Sequence, residues 1–299
     1  MQKLKGLIAA AYTPMHEDES IAPEKIGVLV DYSVKHRFAG LFVNGSTGEF
    51  PSLTTRERKL CAEAYLEAAR GRIPVILNIA SCSIEQIRDL AGHGVNHGAD
   101  ALCVMMPFYF KPASAHEFAE FVKEAARACS GKPLFLYHAP GLVSGGFPLI
   151  DFLKIMLDEV PNFAGVKYTN SDLFEFRQCC ELSDRLQLLY GRDEMLLGAL
   201  AMGAGGAIGT TFNYLPRVYR GVIDEFEAGE LGRAREWMRI SHRAVSVACR
   251  FGISSLKLFM KYAGIDVGPM RTPCNRITPE EEQAFRQALR DAELEAWLG

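Results

Sequence analysis

The sequence lacks a long hydrophobic run and an excess of charge of either sign. Its longest apolar stretch, residues 101–110, is about half the roughly 20 residues that a membrane-spanning helix needs, and Pro107 interrupts it. The 33 Lys and Arg residues nearly balance the 36 Asp and Glu residues, which leaves a net charge of -3 and no basic stripe for a phosphate backbone. We therefore expect neither a membrane nor a nucleic acid as a partner.

Paired-cysteine motifs are also absent from the sequence. The eight cysteines are spread along the chain without a C-x-x-C spacing, and most lie among apolar residues, as small buried side chains do in a reducing compartment. The short N-terminal apolar run is followed by Thr13, Pro14 and acidic residues, where a secretory signal would have a small-residue cleavage site. These features predict a cytoplasmic protein.

Two patterns of reactive side chains lack the neighbours that their chemistry requires. His93 and His97 have the i, i+4 spacing of two metal ligands on a helix, but glycines surround them and no carboxylate or thiol is clustered with them. Ser254 and Lys257 have the S-x-x-K spacing of a serine acyltransferase, but no K-T-G motif accompanies them. We predict neither a metal site nor an acyl-transfer site.

What the sequence does contain is a regular alternation of short apolar segments and longer amphipathic ones. The short segments predict eight β-strands, at residues 6–12, 40–43, 74–79, 101–105, 133–137, 163–168, 186–190 and 206–208. The longer segments predict helices at residues 23–37, 54–69, 84–97, 115–129, 148–157, 172–182, 194–202 and 214–228. Because the strands are too apolar for a solvated face, the pattern predicts a parallel sheet covered by helices.

Eight strand–helix units predict an α/β fold of the TIM (β/α)8 barrel type. An open doubly wound sheet is the competing arrangement, but it requires a glycine-rich phosphate turn after the first strand, and none follows Tyr12. After Gly229 the pattern is only helical, with helices predicted at residues 230–250, 253–262 and 279–297. We therefore predict a barrel at residues 1–229 and a C-terminal helical extension, packed on the barrel, at residues 230–299. Barrel enzymes place their chemistry at the C-terminal ends of the strands.

Two of these strand ends carry side chains suited to carbonyl chemistry. Lys167 ends the sixth strand among apolar residues, and partial desolvation favours the neutral amine that attacks a carbonyl. Tyr137 ends the fifth strand, and because adjacent strand ends lie side by side in a barrel, its phenol is a candidate proton carrier for that amine. Taken singly, each residue also fits a structural role, as a solvent-facing lysine and a tyrosine packed under a loop.

Two loops at the same end of the barrel carry polar groups. Residues 45–49, Gly-Ser-Thr-Gly-Glu, follow the second strand, and their backbone N–H groups and hydroxyls can converge on a carboxylate or form a plain turn. Residues 191–194, Gly-Arg-Asp-Glu, follow the seventh strand. Their two acids can accept hydrogen bonds from substrate hydroxyls, or they can serve as favourable charges at the start of the next helix.

Taken together in order and spacing, three motifs resemble those of one enzyme family. They are G-S-T-G-E at residues 45–49, Y-H-A-P at 137–140 and G-V-K-Y-T at 165–169. From about residue 6 to residue 273, the chain resembles the pyruvate-dependent class I aldolases, the family of N-acetylneuraminate lyase and dihydrodipicolinate synthase. The resemblance implies a Schiff base between Lys167 and C2 of pyruvate or of the keto acid being cleaved, and it implies no metal or other cofactor.

The resemblance also implies roles for the side chains around Lys167. Ser46 and Thr47 hold the pyruvate carboxylate, and Tyr137 moves the proton that the aldol hydroxyl loses on cleavage and regains on condensation. The resemblance further implies that Asp193 and Glu194 bind the polyol tail of a sugar. It implies that other parts of the substrate are contacted by Thr169, Gly191, Gly209 and Thr210. It also implies a homotetramer in which Tyr109 packs at a neighbouring subunit's site.

Within the family, position 142 favours the branch that cleaves sialic acid. The synthases typically carry an arginine there that binds a second carboxylate, whereas Leu142 is typical of the lyases. Thr210 in place of a usual serine, and a loop at 141–144 that is one residue longer than usual, depart from the lyase pattern. The implied reaction is cleavage of N-acetylneuraminate to N-acetylmannosamine and pyruvate.

Two alternatives to sialic acid cleavage remain open at this point. One is an aldolase or dehydratase that acts on another 2-keto-3-deoxy sugar acid. The other is a catalytically silent barrel that binds keto acids. The presence of both Lys167 and Tyr137 argues against a silent binder, because binding alone needs no amine nucleophile beside a phenol.

Overall fold

A computed structural model describes residues 2–299, and its eight parallel strands close into a barrel. Each strand pairs with its neighbours in chain order, and β1 pairs with both β2 and β8. The strands are β1 (Gly6–Ala10), β2 (Gly40–Val43), β3 (Val75–Asn78), β4 (Ala101–Met105), β5 (Leu134–His138), β6 (Phe163–Tyr168), β7 (Gln187–Tyr190) and β8 (Gly206–Gly209). The predicted TIM barrel is confirmed.

Eight helices cover the barrel and three more follow β8 and α8 in the chain. The covering helices are α1 (Ile26–Lys35), α2 (Thr55–Ala69), α3 (Ile84–Asn96), α4 (Ala115–Ala128), α5 (Leu149–Glu159), α6 (Leu173–Cys180), α7 (Leu196–Met202) and α8 (Pro216–Glu227). The last three are α9 (Leu231–Phe251), α10 (Ser255–Tyr262) and α11 (Pro279–Asp291). Within residues 2–299, no helix has both the length and the hydropathy needed to cross a membrane.

Hydroxyl caps explain where several of these helices begin. Thr54 before α2 and Thr278 before α11 each accept a hydrogen bond from the backbone N–H of a glutamate three residues later, whose side chain accepts one from the threonine N–H. These reciprocal capping boxes satisfy donors that a helix N-terminus otherwise leaves unpaired. The sequence shows this pattern directly, as threonine followed by glutamate at the third position.

Three predicted helices include a 3-10 turn that is separate from the α-helix. The segment predicted as 23–37 begins with the 3-10 turn Pro23–Lys25 before α1. The segment predicted as 194–202 begins with a 3-10 turn, Asp193–Met195, before α7. The last predicted helix, 279–297, is too long, because α11 ends at Asp291 and a separate 3-10 turn spans Glu295–Trp297. Glu293 between them has a φ of 52°, a left-handed conformation that no α-helix continues through.

The helices after residue 229 pack against the barrel through side chains of several kinds. The Trp237 ring of α9 lies directly over Gly221 of α8, in the space that any larger residue at 221 would fill. Farther along the chain, the Arg271 guanidinium donates hydrogen bonds to both carboxylate oxygens of Glu57, at 2.8 and 2.9 Å. These bonds lower the pKa of Glu57 to about 2. The C-terminal part of the chain therefore reaches the first turn of α2, which follows the loop after β2.

Candidate functional site

Lys167 lies at the C-terminal end of β6 with its side chain enclosed by aromatic rings. The residue is 5% exposed. Its Nζ lies 4.1 Å from the ring centre of Phe42 and 4.2 Å from that of Tyr137. The parallel register of β5 and β6 sets Tyr137 directly opposite Lys167. This register therefore places a buried amine beside a phenol.

The phenol of Tyr137 connects Lys167 to the loop after β2. Its hydroxyl lies 3.3 Å from the Ser46 hydroxyl, within hydrogen-bond distance. The Tyr137 ring also meets Phe42 edge-on, with ring centres 5.8 Å apart. Tyr137 thus packs its ring against the amine and directs its hydroxyl to Ser46.

The loop at residues 45–49 is held in place on both sides. The Thr47 hydroxyl lies 2.6 Å from the Thr210 hydroxyl, which joins the loop after β2 to the loop after β8. At Gly48 a Cβ would lie 3.1 Å from the carbonyl oxygen of Ala11, just after β1, so a larger residue would require the chain there to shift. The Gly48 carbonyl in turn accepts a hydrogen bond from the Thr13 hydroxyl at 2.7 Å. The two hydroxyls that the resemblance assigns to a carboxylate are thereby presented by a rigid turn.

A buried ion pair supports the end of this loop. Glu49 has a left-handed φ of 57°, and its carboxylate lies 2.7 Å from the Lys257 Nζ of α10, with each side chain only 3% exposed. The same ammonium donates to the carbonyl oxygens of Thr13 and Pro269, at 3.0 and 2.7 Å. Burial lowers the pKa of Lys257, and the Glu49 carboxylate opposes that change. A buried pair with these additional hydrogen bonds avoids the cost of an uncompensated charge.

The two acids of the loop after β7 have opposite environments. Asp193 is buried, and its carboxylate accepts hydrogen bonds from the Thr211 backbone N–H at 2.8 Å and the Thr211 hydroxyl at 2.7 Å. Burial raises the pKa of Asp193 to about 6, although these bonds oppose the shift. Gly209 lies against the same carboxylate, where a Cβ would overlap it. Asp193 therefore joins the loops after β7 and β8 through one carboxylate oxygen, Oδ2.

Glu194 is partly exposed and is paired with a neighbouring cation. Its carboxylate lies 2.6 Å from an Arg192 guanidinium nitrogen and accepts a second hydrogen bond from Arg192 Nε at 2.9 Å. The Glu194 backbone carbonyl contacts His242 Nε2 of α9 at 2.9 Å. Of the two acids, Glu194 has the more exposed carboxylate.

Thr169 provides a further polar group beside these acids. Its hydroxyl oxygen is buried and has no hydrogen-bond partner among residues 2–299. Gly191 lies against it, and a Cβ at 191 would overlap this hydroxyl. A buried hydroxyl without a partner costs free energy, so its position favours a ligand that completes the hydrogen bond.

Two residues that the sequence indicated, Tyr109 and Leu142, are exposed on loops and are not packed beside Lys167. Tyr109 is exposed in the loop after β4, with its ring edge-on to the exposed ring of Phe110 at 4.9 Å. Leu142 is also exposed, in the loop after β5. Both residues lie on loops at the same end of the barrel as Lys167.

The structure adds residues that sequence reasoning did not single out. Phe42 covers the Lys167 amine, Thr211 holds Asp193, and Arg192 pairs with Glu194. Lys257, known from the sequence only as part of an S-x-x-K spacing, supports the loop after β2. Three of these four lie within three residues of a motif, so their positions, although not their partners, could have been noticed.

One group of potential metal ligands is present among residues 2–299, and it lies away from Lys167. Glu63, His93 and His97 have ligand atoms within 4.8 Å of one another on the outer helices. The sequence-based expectation that no carboxylate is clustered with these histidines is wrong, because Glu63 comes from the preceding helix. The glycines near His93 also do not interrupt the helix, since α3 extends from Ile84 to Asn96.

Comparison with known proteins places this arrangement in a family. The model of the dihydrodipicolinate synthetase family matches residues 3–292. N-acetylneuraminate lyase of Mus musculus is 36% identical over 286 residues, covering 93% of this chain and 89% of the mouse protein. The Homo sapiens N-acetylneuraminate lyase is also 36% identical, over 300 residues, covering 98% of this chain and 94% of the human protein.

A solved structure shows the same likeness in three dimensions. The N-acetylneuraminate lyase of Proteus mirabilis superposes with a TM-score of 0.94 at 28% identity, covering 98% of this chain and all of that one. The family resemblance stated from the motifs is confirmed. The chain belongs to the dihydrodipicolinate synthetase family.

Proposed function

We propose that this protein is a class I aldolase that cleaves N-acetylneuraminate to N-acetylmannosamine and pyruvate. The observation that carries the proposal is the buried Lys167 amine at the end of β6, 4.2 Å from the ring centre of Tyr137. The choice of N-acetylneuraminate as the substrate follows from the lyases to which the chain is similar. In this proposal the protein is a lyase that needs no metal or other cofactor for the reaction.

The proposed reaction begins with attack of the Lys167 amine on C2 of the open-chain keto acid. Loss of water then gives a protonated imine, which withdraws electrons from C3 more strongly than a ketone does. The C3–C4 bond breaks, its electron pair remains at C3 as an enamine, and the C4 hydroxyl loses its proton as the aldehyde forms. C3 then takes up a proton, and water hydrolyses the imine to release pyruvate and the free amine.

Tyr137 carries the proton in this scheme. Its ring lies against the Lys167 amine, with Nζ 4.2 Å from the ring centre, and its phenol oxygen is 3.3 Å from the Ser46 hydroxyl, so a proton taken from the C4 hydroxyl can be passed on to Ser46. The Ser46 and Thr47 hydroxyls and the loop N–H groups hold the substrate carboxylate. This binding fixes C2 against Lys167, and such positioning lowers the barrier to attack.

The far end of the proposed site binds the polyol tail. Glu194 accepts hydrogen bonds from tail hydroxyls and shares its carboxylate with Arg192. Thr169, with its unpartnered hydroxyl within residues 2–299, contacts a nearer hydroxyl. Thr210 lies between the two ends because its hydroxyl contacts Thr47. Asp193, Gly191 and Gly209 contribute by shaping and supporting these positions.

The proposed assembly is a homotetramer in which Tyr109 reaches the site of a neighbouring subunit. Tyr109 is 76% exposed, an unusual position for a tyrosine ring, and it carries the exposed Phe110 beside it. Sedimentation equilibrium measures the subunit number directly. The proposed location is the cytoplasm, where the exposed thiols of Cys82 and Cys249 remain reduced.

A substrate panel assayed by pyruvate release tests the proposed function. N-acetylneuraminate should be cleaved with a higher kcat/KM than shorter 2-keto-3-deoxy acids, because only the longer substrate reaches Glu194. With the exposed Leu142 in place of a cation, aspartate semialdehyde should be a poor partner for pyruvate. Efficient condensation with aspartate semialdehyde, together with no cleavage of sialic acid, would contradict the proposal.

Replacing Glu194 by alanine should separate tail recognition from the chemistry at Lys167. We expect kcat/KM for N-acetylneuraminate to fall roughly 10- to 100-fold. This corresponds to about 1.5–3 kcal/mol, the free energy of one hydrogen bond to a charged group. Borohydride trapping of pyruvate should be unchanged. Glu181→Ala, on the exposed end of α6, is the matched control. Equal losses for N-acetylneuraminate and for a substrate without a tail would show that Glu194 does not bind the tail.

Replacing Gly191 by alanine should displace the Thr169 hydroxyl, because the new Cβ occupies its place. We expect kcat/KM to fall about 2- to 10-fold, the net value of one neutral hydrogen bond of about 0.5–1.5 kcal/mol. Gly205→Ala is the matched control, since nothing lies within 4 Å of a Cβ there. Steady-state kinetics on both variants, with thermal unfolding to compare stability, make the measurement. Unchanged kinetics for Gly191→Ala would remove Thr169 from the proposed site.

A further inference from the structure

Glu63, His93 and His97 form a three-residue cluster on the outer surface of the barrel. Glu63 belongs to α2, His93 to the last turn of α3, and His97 follows that helix as its C-cap. Because each helix runs back along the barrel, the C-terminal end of α3 lies at the end opposite the strand termini that carry Lys167. The cluster is thus independent of the proposed aldolase site.

We propose that this cluster binds a divalent transition-metal ion such as Zn²⁺, which joins α2 to α3. His93 Nε2 lies 2.7 Å from Glu63 Oε1, and His97 Nε2 lies 4.0 Å from the same oxygen. Two imidazoles and one carboxylate are donors that suit zinc, nickel and copper ions. Three protein ligands leave a fourth position for water.

The hydrogen bonding of His97 prepares its ring for a metal. Its Nδ1 lies 2.8 Å from the His93 backbone carbonyl oxygen, which can only accept a hydrogen bond. Nδ1 therefore donates a proton to that oxygen, which leaves Nε2, on the side facing Glu63, as the ring nitrogen for an ion. Histidines that bind metals are commonly fixed in this way, with one nitrogen donating to a carbonyl and the other facing the ion.

His93 requires only the transfer of one proton within its ring. Without a metal, the Nε2 proton is donated to Glu63, and the ion takes the place of that proton while the proton moves to Nδ1. Nδ1 of His93 is buried and has no hydrogen-bond partner in the described part of the chain, residues 2–299. Before the transfer, Nδ1 of His93 is an acceptor without a donor, and after it Nδ1 is a donor without an acceptor. No hydrogen bond at Nδ1 is therefore lost.

The distances from Glu63 to the two histidines are close to those of a zinc site, and all three ligand atoms lie within 4.8 Å of one another. Zinc–ligand bonds of about 2.0–2.1 Å in a tetrahedron set the ligand atoms about 3.3–3.4 Å apart. The pair His93–Glu63 is shorter than this and the pair His97–Glu63 is longer, so each must change by less than 1 Å. The side chains of Glu63 and His97 are 43% and 44% exposed, which lets them adjust and lets the ion enter.

The position of the cluster also favours a cation and gives the ion a structural effect. His93 and His97 lie at the C-terminal end of α3, where the helix dipole is negative. Since the ligands come from two helices, they are brought together only in the folded chain. An ion that binds the folded state better than the unfolded state raises the temperature of unfolding. We expect this stabilisation to grow with the concentration of free metal.

Calorimetric titration of the full chain with ZnCl₂ under a phosphine reductant tests the proposal. The expected result is one ion per chain and a raised unfolding temperature. His97→Gln and Glu63→Gln should each weaken binding by at least about tenfold, since changes to partners outside the ligand set already cost 10- to 100-fold. His116→Gln, at an exposed position on α4, is the matched control and should bind as the unaltered chain does.

Two further measurements make the result decisive. Thermal unfolding of the metal-free variants shows that the substitutions leave the fold intact. Co²⁺ titration should give d–d absorption of a nitrogen and oxygen ligand set without thiolate charge-transfer bands, which would instead indicate cysteine ligands. Absence of binding, or thiolate bands, would overturn the proposal. So would Glu63→Gln and His97→Gln variants that bind the metal with the same affinity as the unaltered chain. In that case the cluster is only a hydrogen-bonded histidine and glutamate.

Discussion

Replacing Lys167 by methionine should reduce pyruvate release from N-acetylneuraminate to background. Methionine keeps most of the volume between Phe42 and Tyr137 but has no amine to form the imine. Removal of a covalent nucleophile costs about 10⁶-fold in a well-studied protease, and we expect a loss of that order. Coupled-enzyme assays measure the rate, and thermal unfolding checks the fold. Lys154→Met, at an exposed position on α5, should retain normal activity.

Chemical trapping distinguishes the imine from other roles of Lys167. Borohydride added with pyruvate should reduce the imine to a stable secondary amine on the Lys167 peptide, detected by mass spectrometry. The Lys167→Met variant should yield no adduct. An adduct on a different lysine would contradict the assignment of the nucleophile. Activity lost to EDTA and restored by metal would instead favour a metal-dependent aldolase, since such an enzyme polarises the carbonyl with its ion.

Replacing Tyr137 by phenylalanine should leave imine formation intact and slow turnover by about 10²- to 10⁴-fold. The ring that packs against Lys167 and Phe42 remains, so the amine keeps its position. Only the hydroxyl that contacts Ser46 is lost, and a positioned acid or base contributes on this scale. The experiment pairs borohydride trapping with steady-state kinetics on the same preparation.

A matched control for this variant is Tyr32→Phe. Tyr32 lies on α1, and its hydroxyl has no hydrogen-bond partner among residues 2–299. The Tyr32→Phe variant should cleave substrate at the normal rate. Should Tyr137→Phe turn over substrate as fast as Tyr32→Phe, the proton carrier must be another group, and Ser46 is the next hydroxyl along the chain of contacts.

The barrel and the neighbourhood of Lys167 were accessible from the sequence for physical reasons. Parallel strands buried on both faces must be continuous apolar runs, and eight such runs with helices between them leave few topologies. Once the strand order is known, the ends of β5 and β6 are adjacent, which sets Tyr137 beside Lys167. Local chemistry and topology were sufficient there.

Other parts of the site depend on contacts between distant segments, which no local pattern shows. Asp193 and Glu194 are neighbours with the same charge, yet one is buried against Thr211 and the other pairs with Arg192. Glu63 meets His93 across 30 positions of sequence. Periodicity describes which face of an element is apolar, but it does not specify which polar side chains meet across that face.

The pair between Glu49 and Lys257 has a consequence for how the protein matures during synthesis. The ribosome produces the turn at residues 45–49 about 200 residues before Lys257, and at 5–20 residues per second the interval is roughly 10–40 s. During that time the Glu49 carboxylate has no counter-ion, so its burial is unfavourable and the turn stays hydrated. Translation therefore sets the moment at which the turn becomes rigid, after α10 has emerged and docked.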